Sequence, residues 1–83
     1  MRSKNITGSA ATDLGTTAPF LPGYTVTVVN TGTSADTIQF GAASTGPFNT
    51  AAVIAAGQAA DVIVAGRYAA IENGAGTMIV LGN

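Results

Sequence analysis

The sequence predicts an all-β fold, a small antiparallel β-sandwich or jelly roll of about seven short strands. Three observations predict it. Apolar residues recur with the strand period of two, as in Tyr24-Thr25-Val26-Thr27-Val28-Val29 and Thr37-Ile38-Gln39-Phe40. Gly, Asn and Pro interrupt the chain at intervals suited to turns. The stretches between are rich in Val, Ile and Thr, whose stiff branched side chains pack well on a pleated surface.

Taken in chain order, Met1 to Ser9 reads as an N-terminal arm or edge strand, and residues 10–83 as the single β-sandwich domain. Ala10 to Gly23 contains Pro19 and Pro22 and reads as loop or edge structure, because proline cannot donate within a central ladder. Tyr24 to Val29 puts Tyr24, Val26 and Val28 on one face. Asn30-Thr31-Gly32-Thr33-Ser34 is a turn, and Thr37 to Phe40 returns with Ile38 and Phe40 inward, so these two strands should form a hairpin. Ala51 to Ala55 and Ala60 to Ala65 are strand candidates around the turn Ala56-Gly57-Gln58. Ala51 to Ala56 has a short helical turn as its alternative, but Gly57 and the surrounding pattern favour a strand. Gly66-Arg67 reverses the chain into a second expected hairpin. There Tyr68 to Glu72 and Thr77 to Leu81 flank Asn73-Gly74, a strong hairpin signal because both residues tolerate positive φ. The expected core is Val26, Val28, Ile38, Phe40, Val62, Val64, Ile71, Ile79 and Leu81.

Size and charge then point to association. A domain of 83 residues buries only about 60–65% of its unfolded surface and gains little from its own core. Disulfides, metals and oligomerisation are the usual compensations. With Cys 0 and His 0, a homo-oligomer or docking on a larger surface is expected. Only 8% of residues are charged, against about 25% in ordinary domains, so the surface is poorly suited to a free monomer. Arg2, Lys4 and Arg67 make no basic stripe, so nucleic acid is not an expected partner. Ala51 to Gly66 is too polar to span a bilayer, and MRSKNITGS lacks the apolar region of a signal peptide.

The residue inventory argues against catalysis. No histidine is present to shuttle protons near neutral pH. A Ser or Thr nucleophile would depend on Lys4, the only lysine, which lies in the expected arm. Asp36 and Asp61 each begin a strand and read as turn caps rather than a catalytic pair, and the four acids Asp13, Asp36, Asp61 and Glu72 are too separated in sequence to suggest a calcium cluster. No glycine cluster precedes a helix, so no phosphate loop is expected. Neither a cofactor nor a metal is therefore expected, and the protein reads as non-enzymatic. Asn5-Ile6-Thr7 matches a glycosylation sequon without a secretion signal before it. The candidate partner-contact residues are Ile6 in the arm and Phe20, Leu21 and Phe48 in loops. A loop phenylalanine is more often a local plug, but an exposed one is a natural anchor for a protein partner.

The segments LPGYTVTVVNTGTSADTIQFG and IAAGQAADVIVAGRYAAIENGAGTMIVLG cover most of the chain from Leu21 onward. They resemble the small β-sandwich decoration, or cement, proteins of tailed-bacteriophage capsids. The resemblance rests on strand grammar, Thr/Ala/Gly richness, scarce charge and absent cysteine. It implies a structural virion protein on the capsid exterior that binds the major capsid protein non-covalently. It further implies a trimer at three-fold positions that holds neighbouring capsomers together. The N-terminal arm is expected to add a strand to a neighbour's sheet. The alternatives are a head-fibre base, neck or tail component, or a lectin-like or cell-surface binding module.

Overall fold

Eight strands run through the computed structural model, which describes residues 1–83. They are β1 (Arg2–Thr7), β2 (Thr12–Asp13), β3 (Thr25–Asn30), β4 (Asp36–Gly41), β5 (Asn49–Ile54), β6 (Ala59–Ile63), β7 (Tyr68–Ile71) and β8 (Thr77–Gly82). They form two four-stranded sheets, β1-β8-β3-β6 and β2-β7-β4-β5. All neighbours are antiparallel. The first strand pairs with the last, the second with the second-last, the third with the sixth, and the fourth with the fifth. The chain is thus one long antiparallel ribbon folded at residues 42–48 and rolled up. The contacts β3–β8 and β4–β7 close the roll. That is the jelly-roll order, reached from the pairings themselves.

This topology replaces both expected hairpins. β3 and β4 lie in different sheets, as do β7 and β8; only β4 and β5 form a hairpin. The turn signals at residues 31–35 and 72–76 mark corners where the ribbon crosses between sheets. At each corner the opposite strand of the ribbon turns too. Asn30 donates its N–H to Gln58 O at 2.9 Å and accepts at its own carbonyl from Gly57 N at 2.9 Å. At the other corner Gly8 N donates to Gly76 O at 2.9 Å, and Ile71 N donates to Gly8 O at 3.0 Å. The left-handed residues of these corners are Gly57 (φ 73) and Gly8 (φ 67), not the Asn-Gly pair, and no non-glycine residue has positive φ. Asn73-Gly74 is therefore not the primed hairpin turn its sequence predicts.

The core lies between the sheets. Ile6, Val26, Val28, Val62, Met78 and Val80 come from one sheet, and Ile38, Phe40, Ile54, Ala69 and Ile71 from the other. Leu14, Phe20 and Val64 close it from the connections. Of the expected core, Ile79 and Leu81 are corrected: both are half-buried on the outer side, and Met78 and Val80 point inward. Met78 to Leu81 is four apolar residues in a row, so alternation alone cannot choose between the two parities. The choice is made by pairing, which sets Val80 opposite Val28 and Met78 opposite Ile6.

The N-terminal segment is an edge strand. β1 pairs with β8 from Arg2↔Gly82 to Thr7↔Thr77, and Ile6 is fully buried. Of the two expectations for Met1 to Ser9, an arm or an edge strand, the structure shows the edge strand, paired with β8 on one side only. The connection over residues 14–24 folds across this end of the sandwich. Lys4 Nζ lies 5.8 Å from the centre of the Phe20 ring, and Arg2 Nη1 donates to Ala18 O at 3.3 Å. The Ala18-Pro19 and Gly46-Pro47 peptides are cis.

Candidate interaction surface

β6 centres the surface most open to a partner. In Ala59-Ala60-Asp61-Val62-Ile63 the strand period turns Ala60 and Val62 to the core and Ala59, Asp61 and Ile63 outward. β6 is the last strand of its sheet, so one of its edges is unpaired. Across the outer face, Asp61 lies beside Thr27, Ala59 beside Val29 and Ile63 beside Thr25, with Leu81 and Ile79 on β8 beyond Thr27 and Val29. The face is built of aliphatic groups and threonines. Asp61 is its single charged side chain, and Thr27 Oγ1 donates to Asp61 Oδ1 at 2.6 Å.

The surface continues round the edge. β5 is likewise last in its sheet and packs near β6. Its outward Val53 is 70% exposed and Ile63 on β6 is 63% exposed, the two large aliphatic residues that the strands leave exposed. A groove of about 420 Å³ lies between the two edges, lined by Asn49, Ala51, Asp61 and Ile63 among others. A second depression of about 360 Å³ lies on the sheet face, with Met1, Thr25, Thr27, Asp61 and Leu81 around it. Asp61 borders both. Natural edges are usually blunted by lysine, proline or shortness. β1 carries Arg2 and Lys4, and β2 is two residues long. β5 and β6 have neither protection, although the β4–β5 ladder shifts register between Ile38 and Gln39.

The cations lie elsewhere and are engaged. Arg67 grips Asp13 with two hydrogen bonds, Nε to Oδ1 and Nη2 to Oδ2, both 2.8 Å. It also sits 5.6 Å from the Tyr68 ring centre. The hydrogen bond from Arg67, followed by that from the Gly15 N–H, lowers the Asp13 carboxyl from 3.8 to about 2. The same carboxylate raises Arg67 above its ordinary value. This pair joins β2 to the connection between β6 and β7. The acids do not gather: no three carboxylates converge in a way that could hold a metal ion. Asp36 is buried and accepts from Thr37 N at 2.9 Å and Asn73 N at 3.3 Å, which makes it a corner cap.

Of the sequence-predicted contact residues, two are buried and two are half-exposed. Ile6 is 0% and Phe20 3% exposed, so both are core side chains and neither can anchor a partner from within the intact fold. Leu21 is half-buried, and its carbonyl accepts from Tyr24 N at 3.2 Å in a tight turn. Phe48 is half-buried against Gly41 and Gly46. A Cβ added at Gly41 would stand 2.9 Å from Phe48 Cδ1. Phe20 is a plug, and Phe48 covers Gly41 and Gly46 while keeping part of its ring exposed. Val53 and Ile63 were missed, yet a signal for each was present. Two adjacent apolar residues in a strand cannot both face one side. Placing Val62 and Val64 inward already puts Ile63 outward, and an inward Ile54 does the same for Val53. No family profile, curated protein or solved structure matches the chain.

Proposed function

We propose that this protein is a non-enzymatic structural module that docks through the β6 surface onto a repeating protein shell. The occupant is the major capsid protein, met on the outside of a tailed-phage head, as in the decoration proteins that the sequence resembles. The observation that carries the reading is the pair of unprotected edges, with Val53 and Ile63 exposed and Asp61 their only charged side chain. Such a surface gains from burial of apolar area and requires no charge partner on the shell. Engagement of Arg2, Lys4 and Arg67 within the fold supports the absence of a nucleic-acid partner.

Self-association as a trimer fits the same edge. Asp61 is the middle residue of β6, so a two-fold β6–β6 pairing in centred register would set two like charges directly opposite. A heterologous contact of β6 with a different patch of the next copy avoids that clash and gives a three-membered ring where its rotation closes. The direct experiment sediments particles from a lysate of the source and quantifies this 8.1 kDa chain against the major shell protein. Near-stoichiometric recovery is the expected result. Recovery only in the soluble fraction, with saturable binding to a sugar, contradicts the reading and favours a lectin-like module.

A further inference from the structure

The corner between β7 and β8 holds the Asn73-Gly74 pair, which the hairpin reading does not explain. Both residues are exposed. We propose that Asn73 is a self-modification site, at which the native fold permits intramolecular deamidation through the main-chain nitrogen of Gly74.

The hydrogen bonds of the corner leave the reacting groups free. The Gly74 N–H makes no hydrogen bond, whereas its neighbours are tied: Gly76 N donates to Asn73 O, and Ala75 N donates to Asn73 Oδ1, both at 3.0 Å. The bond from Ala75 draws electron density from the side-chain carbonyl and so leaves Cγ more open to attack. Asn73 Nδ2 has no partner in the fold, so the leaving group faces water. Gly74 offers no steric obstacle; an added Cβ would meet only Ser9 Oγ, at 3.8 Å. The Gly74 nitrogen bonds to Cγ as it loses its proton, and the Cγ–Nδ2 bond breaks. Nδ2 leaves as ammonia, and a five-membered imide remains. Water then opens either carbonyl–nitrogen bond of the imide, giving aspartate or isoaspartate at position 73.

The other internal asparagines are poorly placed. Asn5, Asn30 and Asn49 each precede a β-branched residue, whose side chain crowds the attacking nitrogen. Asn30 is also buried, and the Thr31 N–H after it donates to Thr77 O at 3.1 Å. The product matters to the fold. Isoaspartate lengthens the main chain within a corner where a Cβ on Gly8 would lie 2.8 Å from Gly74 O. It also sets a new carboxylate beside the Asp36 cap, which bonds to Asn73 N.

The test incubates the intact protein at mildly alkaline pH, with and without urea, and maps its peptides by mass. The expected result is a gain of about 1 Da confined to the peptide carrying Asn73, split into two chromatographic peaks, in the folded protein. Gly74→Ala should slow the gain at least about tenfold, because a side chain there hinders the attack. This variant keeps the fold, since Gly74 does not use positive φ and its surroundings are open. Modification of Asn73 only in urea would show that the fold protects the site and would overturn the proposal. Equal rates at Asn5 and Asn73 in the folded protein would overturn it as well.

Discussion

At the residue scale, Asn30 does more than its turn-forming type suggests. Its Nδ2 donates to Ser34 O at 3.0 Å and Ile54 O at 2.8 Å, and its Oδ1 accepts from Gly32 N at 2.9 Å. It thereby joins the end of β3 in one sheet to the end of β5 in the other. Asn30→Asp keeps the shape but removes the two donors, leaving carbonyls to face a carboxylate. A loss of about 2–3 kcal/mol is expected in urea unfolding. The Asp13–Arg67 pair predicts a pH effect of defined sign. The folded carboxyl titrates near 2 against 3.8 when unperturbed, so the folded state binds its proton more weakly. The stabilisation is complete above pH 3.8 and is lost as pH falls through about 2. In Arg67→Gln, NMR titration should find the Asp13 carboxyl shifted back toward its ordinary value. An unchanged titration would remove Arg67 as the main cause. Gly66 is a third such position: a Cβ there would meet Gly41 O at 2.5 Å and Gly41 C at 2.6 Å. These are main-chain atoms that cannot swing aside, so Gly66→Ala should lower stability by about 1–3 kcal/mol in the same assay.

At the element scale, the strands themselves were legible and their partners were not. β3 and β4 alternate cleanly, and Val26, Val28, Ile38 and Phe40 are all buried as their spacing predicts. β8 offered no alternation, and its facing came from long-range pairing with β3 and β1. Stability measurements distinguish the two parities. Met78→Ala should cost about 2–5 kcal/mol, as for a filled core position. Ile79→Ala should cost about 1 kcal/mol or less. The reverse order would mean that β8 faces the other way. Turn residues at 30–34 and 73–76 announced a change of direction, but a hairpin and a sheet-crossing corner use the same residues. Which one forms depends on the strand lying alongside, some dozens of residues away. The same logic hid the surface. Strand parity already turned Ile63 outward, but that it shares one open side with Val53 follows only from β5 and β6 being sheet edges.

At the scale of the whole molecule, the rolled ribbon separates two kinds of side. The side of β1, β2 and the connection before β7 carries Arg2, Lys4, Asp13 and Arg67, with its cations engaged by the fold. The side of β5 and β6 carries Asp61 and exposed aliphatic residues. A small domain with a modest core and one open side that carries a single charged side chain would gain stability from a partner docked there. The contact residues expected from sequence, Ile6 and Phe20, serve the interior. The most direct test adds wild-type protein and Ile63→Asp to particles stripped of this chain, with thermal melting of both proteins as the control. The wild type should saturate at a fixed ratio to the shell protein. Ile63→Asp, whose side chain is largely exposed, should melt at the same temperature and bind at least about tenfold more weakly. Equal binding by the two proteins would contradict docking through the β6 surface.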